Sequence, residues 1–212
     1  EQNILLNLQI LFARLQTSNE SVSTQDLTDS FGWDNEQTLI QQDIVDFFIH
    51  LIDYIKENLK NSIFNEMIDD LFTTSTRTYY RGITKEFEET SEDNFLVLPV
   101  EVKGFSTLKE SLHSLLNTQY LKDGNQYESR IHGKQDATLT TEFLKFPDIL
   151  VIHLKRFEFD PKLNKNVKIN SILIFDEVLD ISDLLPKKDS KQDESSNEYE
   201  LHSVIVHNGS VN

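Results

Sequence analysis

The sequence predicts an α+β fold. Helical periodicity fills roughly the first 72 residues, runs rich in Thr, Tyr, Phe and Val dominate the remainder, and no regular β-α-β alternation appears. In order, Ile4, Leu5, Leu8, Leu11, Phe12 and Leu15 recur at the spacing of one helix face over 4–16. Ser23 and Thr24 offer hydroxyl caps to a short helix ending near Phe31-Gly32-Trp33. A long amphipathic helix is expected from Thr38 to Asn61, because Ile40, Ile44, Phe47, Phe48, Leu51, Ile52, Ile55 and Leu59 keep a period near 3.6. A shorter helix follows over 64–72.

The texture then changes. Residues 74–88 and 94–103 read as a hairpin joined by the polar stretch Glu88–Asn94. Thr107–Gln119 returns to helical spacing through Leu108, Leu112, Leu115 and Leu116. Strands are expected at 141–146, Ile149–Phe159, Val167–Ile169, Leu173–Phe175 and Tyr199–His207, with a charged surface loop over 187–198.

Composition narrows the function. The 212 residues include 36 acidic and 20 basic side chains, a net charge of −16. Phosphate backbones bind through local positive charge, so nucleic acid is not expected as a partner, and a basic peptide tail would be attracted instead. There is no cysteine, hence no disulfide, no thiolate metal site and no thiol nucleophile. No apolar run approaches the ~18 residues that cross a bilayer, and no secretory leader is visible. No membrane partner and an intracellular location, in cytoplasm or nucleus, are therefore expected.

Three ordered segments carry a resemblance. Phe31-Gly32-Trp33 is followed by Gln41-Gln42-Asp43-Ile44-Val45-Asp46-Phe47-Phe48. Next comes His153-Leu154-Lys155-Arg156-Phe157. Last is Tyr199-Glu200-Leu201-His202-Ser203-Val204-Ile205-Val206-His207-Asn208-Gly209. Together they resemble the Gln-Gln-Asp box, the His-Leu-Lys-Arg-Phe strand and the Tyr-x-Leu-x-x-Val-x-x-His-x-Gly strand of ubiquitin-specific proteases, with Asp46 standing where that family carries Glu. Thr24–Trp33, Asp160-Pro161 and Lys168-Ile169-Asn170 resemble the herpesvirus-associated branch, which lacks the zinc-binding cysteines of other members.

The resemblance implies a papain-like cysteine protease variant with a right-hand architecture, incomplete at both ends. Residues 1–72 would form part of the thumb, 73–145 the fingers and adjoining palm, and 146–212 the palm sheet. It implies ubiquitin or ubiquitinated proteins as partners, and no cofactor or metal. The family's Cys box would precede residue 1 and its Gly-His-Tyr motif would follow Asn212. The catalytic residues are therefore expected outside this chain, and none of the six histidines reads as the catalytic one. A catalytically dead ubiquitin-binding scaffold is the other reading.

The residues implied to meet ubiquitin are Trp33, Gln41, Asp43, Asp46, Phe157 and Phe159. Asp43 and Asp46, three apart on one helix face, would pair with arginines of the ubiquitin tail, or would merely complement the helix dipole. Trp33 would belong to a rearranging loop or be a packing anchor. Phe157 and Phe159 flank Glu158, so they share one side of a strand, beside the tail channel or in the core. Gln42, His153, Arg156 and His207 would support the cleft. His153 and Arg156 sit on a strand expected to be largely buried. Residues Lys162–Lys168 resemble a blocking loop, either a gate or a passive hairpin.

Overall fold

The computed structural model describes residues 3–32, 43–60, 62, 64–186 and 197–207. The chain divides into two compact units, Glu1–Asn65 and Glu66–Asn212.

In the first unit, α1 (Ile4–Thr17) starts at Asn3, whose side-chain oxygen accepts the Leu6 N–H at 3.0 Å. α2 (Gln25–Ser30) lies beside it, tied by an Arg14–Asp26 ion pair at 2.8 Å. The Thr24 side chain makes no capping bond; Ser23 Oγ, one residue earlier, accepts the Gln25 N–H instead. α3 (Ile44–Asn58) buries Ile52, and Phe47 meets Phe31 edge-on at 5.3 Å. The expected helix start at Thr38 lies outside the described residues, and the observed cap is Asp43.

α4 (Phe64–Phe72) leads into the second unit. Its largest sheet has the order β2-β1-β7-β4, all antiparallel, built from β1 (Thr74–Gly82), β2 (Glu88–Phe95), β4 (Gln119–Leu121) and β7 (Ala137–Lys145). β1 alternates cleanly. Thr74, Thr76 and Thr78 are buried, while Arg77 reaches Glu92 at 2.6 Å and Arg81 reaches Glu88 at 2.7 Å across the strand pair. Glu88–Asn94, expected as a connection, is instead the edge strand β2. Its pairing to β1 is made by the backbone, so it needs no apolar alternation of its own. The turn is 83–87.

β5 (Tyr127–Ser129) and β6 (Gly133–Gln135) form a small hairpin fastened to β2 through one carboxylate. Glu89 accepts hydrogen bonds from the Ser129 hydroxyl at 2.9 Å, the Arg130 N–H at 3.0 Å and the Tyr127 hydroxyl at 3.1 Å. Burial pushes the Glu89 carboxyl up, but these donors outweigh it and hold it below the usual carboxylate range. Tyr80 stacks on Tyr127 at 4.2 Å and Phe87 follows at 5.9 Å.

The core gathers where β3 (Leu98–Glu101) runs parallel to β8 (Ile152–Lys155). Leu98, Val100, Leu112, Phe143, Ile181 and Leu184 form the buried cluster, with the Phe143 and Phe146 rings 4.6 Å apart. Leu112 comes from α5 (Leu108–Ser114), which opens with a full capping box between Thr107 and Glu110. This helix is shorter than expected: it ends at Ser114, where the N–H groups of Leu115, Leu116 and Asn117 turn to the carbonyls three residues back, and Gln119 already belongs to β4.

The Ile149–Phe159 run is not one strand. It breaks at Arg156 into β8 and β9 (Phe157–Asp160), and β9 pairs with β10 (Lys165–Lys168). Around Leu173–Phe175 only a single parallel bridge forms, between Ile174 and Thr107. β11 (Val178–Asp180) pairs with β12 (Glu198–Glu200). The expected strand Tyr199–His207 therefore stops early. Leu201 N–H still reaches the Glu177 carbonyl at 2.7 Å, but among the described residues His202–Val206 show no backbone hydrogen bond, and Ile205 and Val206 are 74% and 77% exposed.

Candidate functional site

The expected site residues fall into two groups, one in each unit, and each is described by itself. The first is the N-terminus of α3. Asp43 has an extended backbone and its Oδ1 accepts the Val45 N–H at 2.8 Å, which makes it the N-cap. Asp46 stands in the first turn, and both acids are exposed. One Asp43 oxygen is thus occupied in holding the helix end, while the pair still presents negative charge at a position the helix dipole favours. Trp33, Gln41 and Gln42 lie outside the described residues.

The second group is built on the β9–β10 hairpin. Phe157 and Phe159 point to the same side and are 43% and 57% exposed, whereas Glu158 between them is half-buried and bonds Lys103 at 2.5 Å. Leu163, in the turn, is exposed as well. The turn is tied down rather than loose: Asp160 Oδ1 accepts the Lys162 N–H at 2.8 Å and the Leu163 N–H at 3.3 Å, and Asn164 takes a left-handed φ of 48°. Four strand residues on each side complete the hairpin in register, with Phe157 opposite Lys168 and Phe159 opposite Asn166. The 162–168 segment therefore includes a paired strand, not only a loop.

Arg156 fixes the base of the hairpin. Its Nη1 donates to the carbonyls of Ser171 at 2.9 Å and Ile169 at 3.2 Å, and its own carbonyl accepts the Ile169 N–H at 2.6 Å. Those bonds explain why the run breaks here: the arginine backbone leaves one sheet to begin another. His153 sits opposite Pro99 in the β3–β8 pair and is half-buried, less enclosed than expected.

His207 comes to the same place. Its ring meets Phe157 edge-on at 5.3 Å and 90°. Lys168 Nζ donates to the His207 carbonyl at 3.0 Å and lies 3.3 Å from Nδ1. Asp160 and Lys168 enter the sequence reading as parts of branch-resembling segments, not as site residues. Asp160-Pro161 carries a turn signal that could have been read; Lys168 and His207 are 39 positions apart, and no local pattern joins them.

Tyr199 secures the other end of this region. Its hydroxyl donates to the Pro147 carbonyl, and burial, with Asp148 nearby, pushes its pKa up to about 12. Residues 148 and 149 donate in turn to the Asp70 and Leu71 carbonyls of α4 at 3.1 and 2.8 Å. Among the described residues, no three His, Asp or Glu side chains converge as metal ligands, and no helix is long and apolar enough to cross a membrane.

The two acids of α3 could hold a basic side chain, and the aromatic ledge of β9 could flank an extended peptide. Neither group contains a thiol. The sequence as a whole is similar to known proteins. The chain is 32% identical over 216 residues to ubiquitin carboxyl-terminal hydrolase 15 of Saccharomyces cerevisiae, covering 99% of this chain and 18% of that protein. It is 35% identical to ubiquitin C-terminal hydrolase 12 of Arabidopsis thaliana, covering 99% of this chain and 19% of that protein. Against ubiquitin carboxyl-terminal hydrolase 7 of Drosophila melanogaster the identity is 28%, over 98% of this chain and 18% of that protein. The chain thus spans under a fifth of the length of these relatives. The profile described as "Ubiquitin carboxyl-terminal hydrolase" matches residues 1–212, and so the chain, although it has no cysteine, belongs to the ubiquitin carboxyl-terminal hydrolase family as part of its hydrolase domain.

Proposed function

We propose that this chain is the ubiquitin-recognising part of a thiol-dependent deubiquitinase whose catalytic Cys and His lie outside it. Residues 1–72 serve as part of the thumb, 73–145 as fingers and adjoining palm, and 146–212 as the palm sheet of a right-hand architecture. Asp43 and Asp46 pair with arginines of the ubiquitin tail, where a carboxylate–guanidinium contact fixes the register of the peptide. Phe157 and Phe159 flank the tail as it runs toward the nucleophile. Trp33 and Gln41 complete the contact, and Gln42, His153, Arg156 and His207 support it.

The observation that carries this reading is the aromatic ledge. A hairpin tied at its turn by Asp160 and at its base by Arg156 carries two phenyl rings on one face, Phe159 exposed and Phe157 partly exposed beside His207, and leaving that apolar area in water is costly unless something covers it. In the complete protein, the cysteine thiolate would attack the carbonyl of the terminal glycine of ubiquitin. The histidine would take up and return the proton, and water would release the acyl group.

The test uses the full-length protein and ubiquitin bearing a thiol-reactive C-terminal warhead. An adduct through a cysteine outside residues 1–212, slowed by Phe157→Ala or Asp46→Ala, supports the reading. Ubiquitin binding without adduct points to the scaffold. Neither binding nor adduct ends both.

A further inference from the structure

The segment after β12 leaves the β11–β12 ladder at Leu201, the last residue whose N–H finds a partner there, and among the described residues its next hydrogen bond is made at His207. Between these points His202–Val206 show no backbone hydrogen bond among the described residues, and the whole stretch is exposed. Its far end is therefore located by what holds His207.

Among the described residues Phe157 and Lys168 do so, and they face each other across the hairpin. Phe157 begins β9 and Lys168 ends β10, in register with one another. Phe157 presses an edge of its ring against the imidazole, which limits where the ring can go. The Lys168 ammonium donates to the main-chain carbonyl of His207 and approaches Nδ1, so it fixes both the backbone and the rotation of the ring. The chain just beyond Lys168 is itself tied down, because the carbonyls of Ile169 and Ser171 accept hydrogen bonds from Arg156.

We infer that Lys168 is a positioning residue: it clamps the 201–207 segment onto the β9–β10 hairpin, so that the hairpin face that meets the substrate and the chain entering at His207 are held in one fixed relation. This role rests on the proposed deubiquitinase function. Under it, the segment beyond His207 leads to the catalytic histidine, so a loose clamp misplaces the base without touching the substrate. The effect falls on turnover and leaves ubiquitin affinity alone.

The experiment compares full-length wild type, Lys168→Met and Lys168→Arg. Met keeps the apolar stem and removes the donor; Arg keeps a cationic donor able to reach both acceptors. Two quantities are read. One is hydrolysis of a ubiquitin C-terminal fluorogenic amide, as kcat and KM separately. The other is the slow deuterium exchange of the His207 imidazole Cε1 proton, followed by mass spectrometry, which reports the surroundings of the ring whether or not the protein is active.

The clamp predicts that Lys168→Met lowers kcat by roughly tenfold to a hundredfold with KM within about twofold, as expected when a catalytic group is displaced by about an ångström. It also predicts that His207 exchange quickens, and that Arg restores both. Unchanged exchange in the Met variant overturns the clamp. Faster exchange with unchanged kcat, in a protein that hydrolyses ubiquitin, overturns its positioning role. A KM increase alone reassigns Lys168 to substrate contact. A wild type without hydrolysis sinks the proposed function instead, and the exchange measurement then decides the clamp by itself.

Discussion

Replacing Gly82 by alanine tests how the β1–β2 corner is packed. Gly82 ends β1, and its N–H donates to the Phe87 carbonyl at 3.0 Å. A Cβ placed there would stand 1.9 Å from the Lys85 carbonyl oxygen and 2.6 Å from two carbons of the Phe87 ring. Ordinary contacts begin near 3.5 Å, so the Lys85 carbonyl must retreat by about 1.5 Å. That carbonyl is backbone within a five-residue turn, and Phe87 is buried and stacked on Tyr127, so neither gives way freely. Overpacking of this kind costs about 1–3 kcal/mol, and the Gly82–Phe87 hydrogen bond adds about 1 kcal/mol if it breaks. With a urea slope of about 2 kcal/mol/M, a loss of about 2 kcal/mol lowers the unfolding midpoint by roughly 1 M, followed by circular dichroism.

Two other glycines separate the possible causes. At Gly124 an added Cβ meets nothing within 4 Å, so Gly124→Ala leaves the midpoint in place. At Gly104 space is also open but φ is +89°, so Gly104→Ala isolates backbone strain, about 1 kcal/mol. A Gly82→Ala midpoint within about 0.2 M of wild type would refute the steric argument, given the same urea slope.

Phe143→Ala empties the centre of the buried cluster and should destabilise the second unit by about 3–5 kcal/mol in the same assay, because Phe143 is fully buried beside Phe146. Thr107→Ala removes one half of the capping box on α5 and should cost about 0.5–2 kcal/mol, with Thr107→Ser restoring most of it; equal midpoints for Ala and Ser would contradict the cap. Tyr199 gives a pH signature. Its folded pKa, raised to about 12, lies above the ordinary 10.0, so the unfolded chain loses the proton first and stability falls as pH rises from 10.0 through about 12. Tyr199→Phe should flatten that alkaline limb while lowering stability at neutral pH, where the bond to the Pro147 carbonyl is lost.

The elements legible in the sequence were those whose side chains alone encode their period. Ile44 to Ile55 repeat at helical spacing and lie in α3; Phe157 and Phe159 skip one residue and share a strand face. β2 was not legible because Glu-Glu-Thr-Ser-Glu-Asp-Asn-Phe has no apolar face to read. It is a strand because β1 offers its backbone, and because Glu89 turns inward to three donors in β5 and its turn. The reverse error occurred at Tyr199–His207. There the alternation is strand-like, but β11 supplies a partner only as far as Glu200. In the candidate site, the ordered motifs pointed to the α3 acids and the β9 aromatics. They could not show that Asp43 spends an oxygen on its own helix, or that Lys168 meets His207, because such contacts exist only once the chain has folded.

The composition of β2 has a further consequence for concentrated solutions of the protein. Among the described residues β2 is an outer strand, with a line of backbone donors and acceptors facing away from β1. Such a line is a template on which a second copy of the same strand can build a continuous sheet. Half of its eight residues are acidic: Glu88, Glu89, Glu92 and Asp93. Two copies laid side by side would bring four carboxylates from each into one ladder, where like charges directly opposite one another oppose pairing. Glu88 and Glu92 are already paired with Arg81 and Arg77 of β1, so the residues that hid this strand from hydrophobic patterning serve both its pairing within the sheet and, through their charge, resistance to a second copy.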